Sequence, residues 1–269
     1  MSQAIDLEAY CARIGYKEEL RPTATVLEKL HLAHATHIPF ENLAILLGKP
    51  IRLDLDSLQA KLVQAQRGGY CFEQNTLFAA VLQQIGFPIT RLSARVRLGA
   101  THLLPRTHML LRVEVEKAPW LADVGFGGEG LLQPLPLVEG RENRQYDSNY
   151  RLDREGDLWV LQCSHTGSWQ DMYAFTLEPQ FDVDFDLANY WTSTHPSSVF
   201  VKTLTVQLPS PEGRHVLRGR KLSLVRGETV SIQDIENDEE LLRILREVFG
   251  LSFPPDTQFN SPGIIESSA

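Results

Sequence analysis

Nine residues, "RGGYCFEQN" from Arg67 to Asn75, set Cys71 after two glycines and directly before a helical pattern. Unsatisfied N–H groups at a helix start stabilise a thiolate. The glycines would let the chain turn sharply and leave the sulfur open to a substrate. Buried filler is the commoner fate of a cysteine, but the neighbours here are Gly68, Gly69 and Tyr70 rather than an apolar face. A nucleophile needs a base, and the base an orienting acceptor. Downstream, "RTHMLLRVEVE" opens a strand pattern with His108, and "PWLADVGFGG" sets Asp123 between Ala122 and Val124. A carboxylate there is costly to bury without a partner. A hairpin through "EKAP" brings His108 and Asp123 into one neighbourhood. Counting back from that turn leaves the register imperfect, so a bulge or slip is expected between them.

Three regions must position these groups. Residues 1–86 read as a helical bundle carrying the cysteine: Val26, Leu27 and Leu30 share a face, Leu58, Leu62 and Val63 repeat the habit, and Leu77, Phe78, Val81, Leu82 and Ile85 follow Cys71 up to Gly86 and Pro88. Residues 87–190 alternate with period two, as an antiparallel sheet or small barrel would, and carry His108 and Asp123. Residues 191–269 read as short strands, a helix from about Asp238 to Phe249 closed by Gly250, and a loose tail "FPPDTQFNSPGIIESSA". The fold class is therefore α+β. The order helix-start Cys, strand His, strand Asp is that of papain-like and transglutaminase-like cysteine enzymes.

The 269 residues are 43% hydrophobic and 22% charged, as in an ordinary globular protein. A net charge of -8 provides no basic field for nucleic acid or anionic lipid, which points to a small-molecule partner. No apolar run has signal-peptide or membrane-span character, so a cytoplasmic protein is expected. Three widely spaced cysteines fit neither a disulfide framework nor a zinc site; Cys11 and Cys163 read as packing. His31, His34 and His37 recur every third residue without the carboxylate or cysteine partners of a metal site, and no metal is expected.

Five motifs in order, "HIPFENL", "RGGYCFEQN", "THMLL", "DVGFGG" and "NYWTSTHPSSVF", resemble the arylamine N-acetyltransferase family over nearly the whole chain. The resemblance implies a helical lobe, a β-barrel lobe and an α/β lid, with a triad of Cys71, His108 and Asp123 where the first two meet. It implies acetyl transfer from acetyl-CoA to an arylamine, arylhydrazine or N-hydroxyarylamine through an acetyl-cysteine, with ping-pong kinetics. It makes Phe40, Tyr70, Phe126 and Phe200 walls of the acceptor pocket, and Arg67 and Glu41 structural. Gly99 and Thr107, in the arginine-bearing stretch "RVRLGATHLLPRTH", are the residues named for CoA, since no Walker-type glycine loop exists. Glu73 would oppose a nearby thiolate unless paired, with Arg67 as the expected partner and Glu41 as competitor. Oxyanion donors are expected at the Cys71 helix start, with one from the "GFGG" backbone, and His195 is expected to shape the loop near the lid. A cysteine protease, transglutaminase-like enzyme or thioester hydrolase would use the same triad, and relatives that build amide bonds take carrier-bound acyl groups. A non-enzymatic binding module would lack a triad residue, and none is lost here. The sequence carries no signature of oligomeric state.

Overall fold

A computed structural model describes residues 4–165 and 167–260. The first region folds as α1 (Leu7–Arg13), α2 (Ala24–His37), β1 (Phe40–Glu41), α3 (Leu43–Leu46), α4 (Leu55–Leu58) running into a π-helical turn (Gln59–Gln64), and α5 (Cys71–Ile85). Side-chain caps set the starts: Asp6 accepts from Ala9 N, Thr23 from Val26 N and Asp54 from Ser57 N. Gly86, at φ 107°, ends α5, as a glycine just past a helix leads one to expect.

The second region forms eight antiparallel strands: β2 (Ile89–Val96), β3 (His108–Val115), β4 (Ala118–Ala122), β5 (Leu135–Pro136), β6 (Asn143–Gln145), β7 (Ser148–Glu155), β8 (Leu158–Ser164) and β9 (Gln170–Phe175). Their order, β5-β4-β3-β2-β9-β8-β7-β6, curls into a nearly closed barrel. Gln145 Oε1 of the edge strand β6 accepts from the backbone N–H of Leu132 and Gln133, just before the other edge strand β5, and Gly140 N, in the loop joining them, donates to Leu152 O of β7. Alternation puts Leu92, Leu110, Leu121, Leu152 and Leu161 inside. The β3–β4 turn is tighter than "EKAP": Glu116 and Lys117, at φ 52° and 68°, link Val115 to Ala118. That is the mirror-image turn that matches strand twist.

The remainder comprises α6 (Asp182–Thr194), α7 (Val199–Lys202), β10 (Thr205–Ser210), β11 (Gly213–Arg218), β12 (Lys221–Arg226), β13 (Thr229–Asp234) and α8 (Asp238–Phe249). Asn237 caps α8 and Gly250, at φ 67°, ends it. Leu241, Ile244, Leu245 and Phe249 bury one helical stripe of α8, at about 1.5–3 kcal/mol per side chain.

Three features depart from the periodicity reading. First, β1 lies inside the region read as purely helical yet pairs with β10, Phe40 opposite Gln207 and Glu41 opposite Val206, and so edges the five-stranded lid sheet. Two residues are too short to show a period. Second, barrel strands end at Phe175, and α6 runs across residue 190. Third, the tail expected to be loose is tied down to residue 260: Leu251 and Phe259 are buried, and Asn260 N donates to Leu46 O at 3.0 Å. The rest of that tail lies outside the described residues. No described helix is long and apolar enough to cross a membrane.

Candidate active site

Cys71 is the first residue of α5, as its sequence context suggests, but the glycines before it act differently from expectation. Neither adopts a left-handed conformation. Their service is close approach: a Cβ on Gly68 would stand 2.1 Å from Pro39 O. Gly69 N donates to Pro39 O and its carbonyl accepts from Glu41 N, so "GGYC" lies against "PFE" as a short parallel bridge. Gly125 does the same for the barrel, since a Cβ there would meet Cys71 Cα and Asn75 Nδ2 at 2.7 Å each. Gly125→Ala is therefore expected to push the barrel off α5 and cut turnover at least about 10-fold, given the steep cost of small misplacements. Steady-state rates set against a thermal melt check this; wild-type turnover would refute it.

His108 opens β3, and its Nε2–H donates to Asp123 Oδ2 at 2.7 Å, with both side chains almost wholly buried. The contact needs no bulge. The β3–β4 ladder runs unshifted to Leu111 opposite Ala122, and Asp123 is the first residue beyond it, where the chain leaves the strand and the carboxylate turns to the imidazole. Asp123 Oδ1 accepts from Asn75 Nδ2 at 2.9 Å and from Gly125 N at 3.0 Å. With Nε2 engaged, Nδ1 is the ring nitrogen left for Cys71, whose Sγ also lies 3.5 Å from Thr107 O. Phe126 meets the imidazole edge-on and Tyr173 packs on it with centroids 4.9 Å apart.

Burial alone would push His108 down. The Asp123 charge and hydrogen bond, joined by Cys71, outweigh it and push His108 up to about 10 from 6.5. Burial likewise works to raise Asp123, but His108, Asn75 and Gly125 outweigh it and hold the carboxyl below 3.8. The stabilisation linked to His108 is complete below about pH 6.5 and is lost as pH rises towards about 10. That linked to Asp123 is present above 3.8 and is lost as pH falls through the lowered folded value. Imidazole NMR should accordingly show His108 as imidazolium at about pH 8 in the resting protein, well above its ordinary value. Cys71→Ala should lower the midpoint yet leave it above 6.5, because Asp123 remains. A wild-type midpoint near the ordinary value would contradict this electrostatic picture.

A cavity of about 650 Å³ opens onto Cys71 and His108. Phe40, Phe126, Phe200 and Thr107 line it. Tyr70 does not: it is fully buried behind Phe200, with its hydroxyl bonded to Asn189. Gly99 is an exposed turn glycine at φ 68° and lines no part of it. Arg95, Arg97 and Arg106 line an adjoining cavity of about 420 Å³ that shares Val96 and Leu104 with the first, and Arg97 there is already paired with Glu155 and Asp171. His195 caps α6, stacks on Trp191 at 4.9 Å and accepts from Ser197 N, shaping the loop that leads to Phe200.

The charges around the helix start pair otherwise than expected. Glu73 bonds Lys61 at 2.6 Å, because the π-helical turn swings Lys61 towards α5, and Arg67 bonds the wholly buried Glu41 at 2.7 Å. Two of the four N–H groups of "GFGG" are committed as well: Gly125 N serves Asp123, and Gly128 N donates to Gln207 Oε1 of the lid. These two N–H groups are thus taken by neighbours rather than left for an oxyanion.

The three histidines of α2 are structural. His31 Nδ1–H donates to Leu132 O and its Nε2 accepts from Asp123 N, and burial pushes it down to about 4, so it stays neutral. His34 bridges Tyr10 and Gln74, and His37 Nδ1–H donates to Ala33 O. Among the described residues no group of three or more His, Cys, Asp or Glu is gathered for a metal. Cys11 and Cys163 are free thiols away from the cavity, with burial pushing Cys163 up to about 11. Asn75 and His31 are the contributors sequence reasoning missed. The available signal for Asn75 was its place one helical turn after Cys71, hence on the same face.

A family model described as N-acetyltransferase matches residues 23–257. An arylamine N-acetyltransferase of Escherichia coli K12 is 41% identical, covering 91% of this chain and 88% of that one. The chain belongs to the arylamine N-acetyltransferase family. Among solved structures, the enzyme from Salmonella typhimurium superposes with a TM-score of 0.88 at 37% identity, covering 98% of both chains. That from Mycobacterium marinum, determined in complex with CoA, gives 0.87 at 36% identity over 91% of this chain and 93% of that one.

Proposed function

We propose that the protein transfers acetyl from acetyl-CoA to arylamines, arylhydrazines or N-hydroxyarylamines through an acetyl-Cys71 intermediate, in the cytoplasm. The observation that carries this reading is the geometry of His108, bonded to Asp123 at 2.7 Å and set with Cys71 at an aromatic-walled cavity. An imidazolium beside a helix-start thiol favours the thiolate. The thiolate attacks the acetyl carbonyl, and the CoA sulfur leaves with the His108 proton. The result is a second thioester and a neutral imidazole. One thioester is exchanged for another, so the step is nearly balanced and the acyl group keeps its reactivity. After CoA departs, the amine nitrogen attacks the acetyl carbonyl while Nδ1 of His108 takes its proton. Collapse expels the Cys71 thiolate and restores the ion pair, giving ping-pong kinetics. Asp123 stays ionised throughout and holds the ring. Phe40, Phe126 and Phe200 supply faces for an arylamine and limit water at the acyl-enzyme. Thr107 is retained as a contact for the acyl donor; Gly99 is not.

Incubation with acetyl-CoA and no amine should add one acetyl unit to the intact mass, with none on Cys71→Ala, and an arylamine should discharge it. Absence of acetylation would redirect the assignment to other acyl donors. Steady CoA release without amine would replace transfer by thioester hydrolysis.

A further inference from the structure

Asp123 is held from every layer packed around it. His108 comes from β3, Gly125 from its own loop, His31 from α2 and Asn75 from α5. Asn75 is fully buried and uses its whole amide: Nδ2 donates to Asp123 Oδ1 at 2.9 Å and to Met109 O at 2.7 Å, while Oδ1 accepts from Val124 N at 3.1 Å. Met109 follows His108 and Val124 follows Asp123, so one side chain ties the residue after the base to the residue after its acceptor. It does so from the turn of α5 directly above Cys71.

We propose that Asn75 is a positioning residue of the transfer reaction, holding Asp123 ionised and aimed at His108 while fixing both strand ends against the nucleophile's helix. It touches neither the thiol's substrate nor the reacting atoms. A buried carboxylate stays ionised only when its oxygens are satisfied, and Asn75 supplies one of the donors on Oδ1. Gly125 N alone cannot replace it, because that N–H is fixed to the loop that Asn75 itself holds through Val124.

Three further groups face Asp123. His108 carries the balancing charge. Tyr173 stays protonated, raised first by burial and then by Asp123 itself. His31 is neutral but is pushed down to about 4, so it too titrates on the acid side. The Asp123 carboxyl-carbon resonance is therefore a cleaner readout than acid-side rates.

In the wild type that resonance should remain a carboxylate's down to about pH 4, the ordinary aspartate value. Asn75→Leu, of similar volume, removes the donor, and the midpoint should move upward into the range above it. Asn75→Asp keeps the shape and the acceptor for Val124 N–H but sets a second carboxylate against the first, so the pair should hold a proton at higher pH still. For both, kcat should fall about 10-fold to 100-fold, as for loss of a hydrogen bond to a charged group, with KM for acetyl-CoA changed less than about 3-fold. A lowered melting temperature with an unmoved midpoint and near-normal kcat would make Asn75 merely structural and overturn the proposal. The rate readout rests on the transferase reading, whereas the carboxyl midpoint does not. Failure of wild-type acetylation would sink the former and leave the Asn75 test standing.

Discussion

Asp123→Asn should reduce kcat/KM for acetyl transfer by about 10⁴-fold while leaving the fold in place, the scale seen when a triad carboxylate becomes an amide. Two causes act together. The carboxylate is the main group that outweighs burial at His108, and without its charge the imidazole falls from about 10, leaving burial to favour the neutral ring. The amide can also present N–H groups to Nε2, which moves the ring proton to Nδ1, the nitrogen that must accept from the incoming amine. Iodoacetamide alkylation of Cys71 should slow in parallel, because the imidazolium partner is gone. A mutant within about 10-fold of wild type in both assays would remove Asp123 from the mechanism.

The largest stability effect is expected at Arg67, some way from the reacting atoms. Arg67→Ala leaves Glu41, wholly buried and 2.7 Å from the lost guanidinium, with an uncompensated charge. Breaking such a pair typically costs about 3–5 kcal/mol. For a chain of this size that corresponds to a melting-temperature loss of roughly 10 °C. It also removes the guanidinium stacked 4.3 Å over Phe253, loosening the segment after α8. Pairing Arg67→Met with Glu41→Gln should recover much of the loss, since both charges then leave together. Calorimetry on the single and double variants checks both statements, and an unchanged single mutant would mean that water already reaches Glu41.

Cys71, His108 and Asp123 were legible because each sits where local pattern changes: a helix start after glycines, a strand start, and a carboxylate at the end of an apolar run. Their contact was legible only as neighbourhood. The distance is set by where β4 stops, and a one-residue difference in strand length decides whether the carboxylate faces the ring. Asn75 was hidden because its value depends on two strand ends that no local window contains. Glu73 was assigned the wrong cation for a related reason: the π-helical turn that brings Lys61 round adds a rotation that a regular helical count omits. Tyr70, beside the nucleophile in sequence, faces away from the cavity because the cap residue and the first helical residue point in different directions.

Because β1 pairs with β10, the enzyme's cavity is finished late in its synthesis. Phe40 meets its ladder partner Gln207 only after the whole barrel has left the ribosome. The glycine bridge behind Cys71 leans on the same two-residue strand. Contacts so distant in sequence form late, since the loop between them must close first. The nascent chain thus carries its thiol, base and carboxylate for most of synthesis without the finished cavity around them, and the pocket is walled only when Phe200, Gln207 and Val216 arrive. A truncation ending before β10 should consequently keep the three groups of the triad but lack one wall of the cavity, and so fail as a smaller transferase.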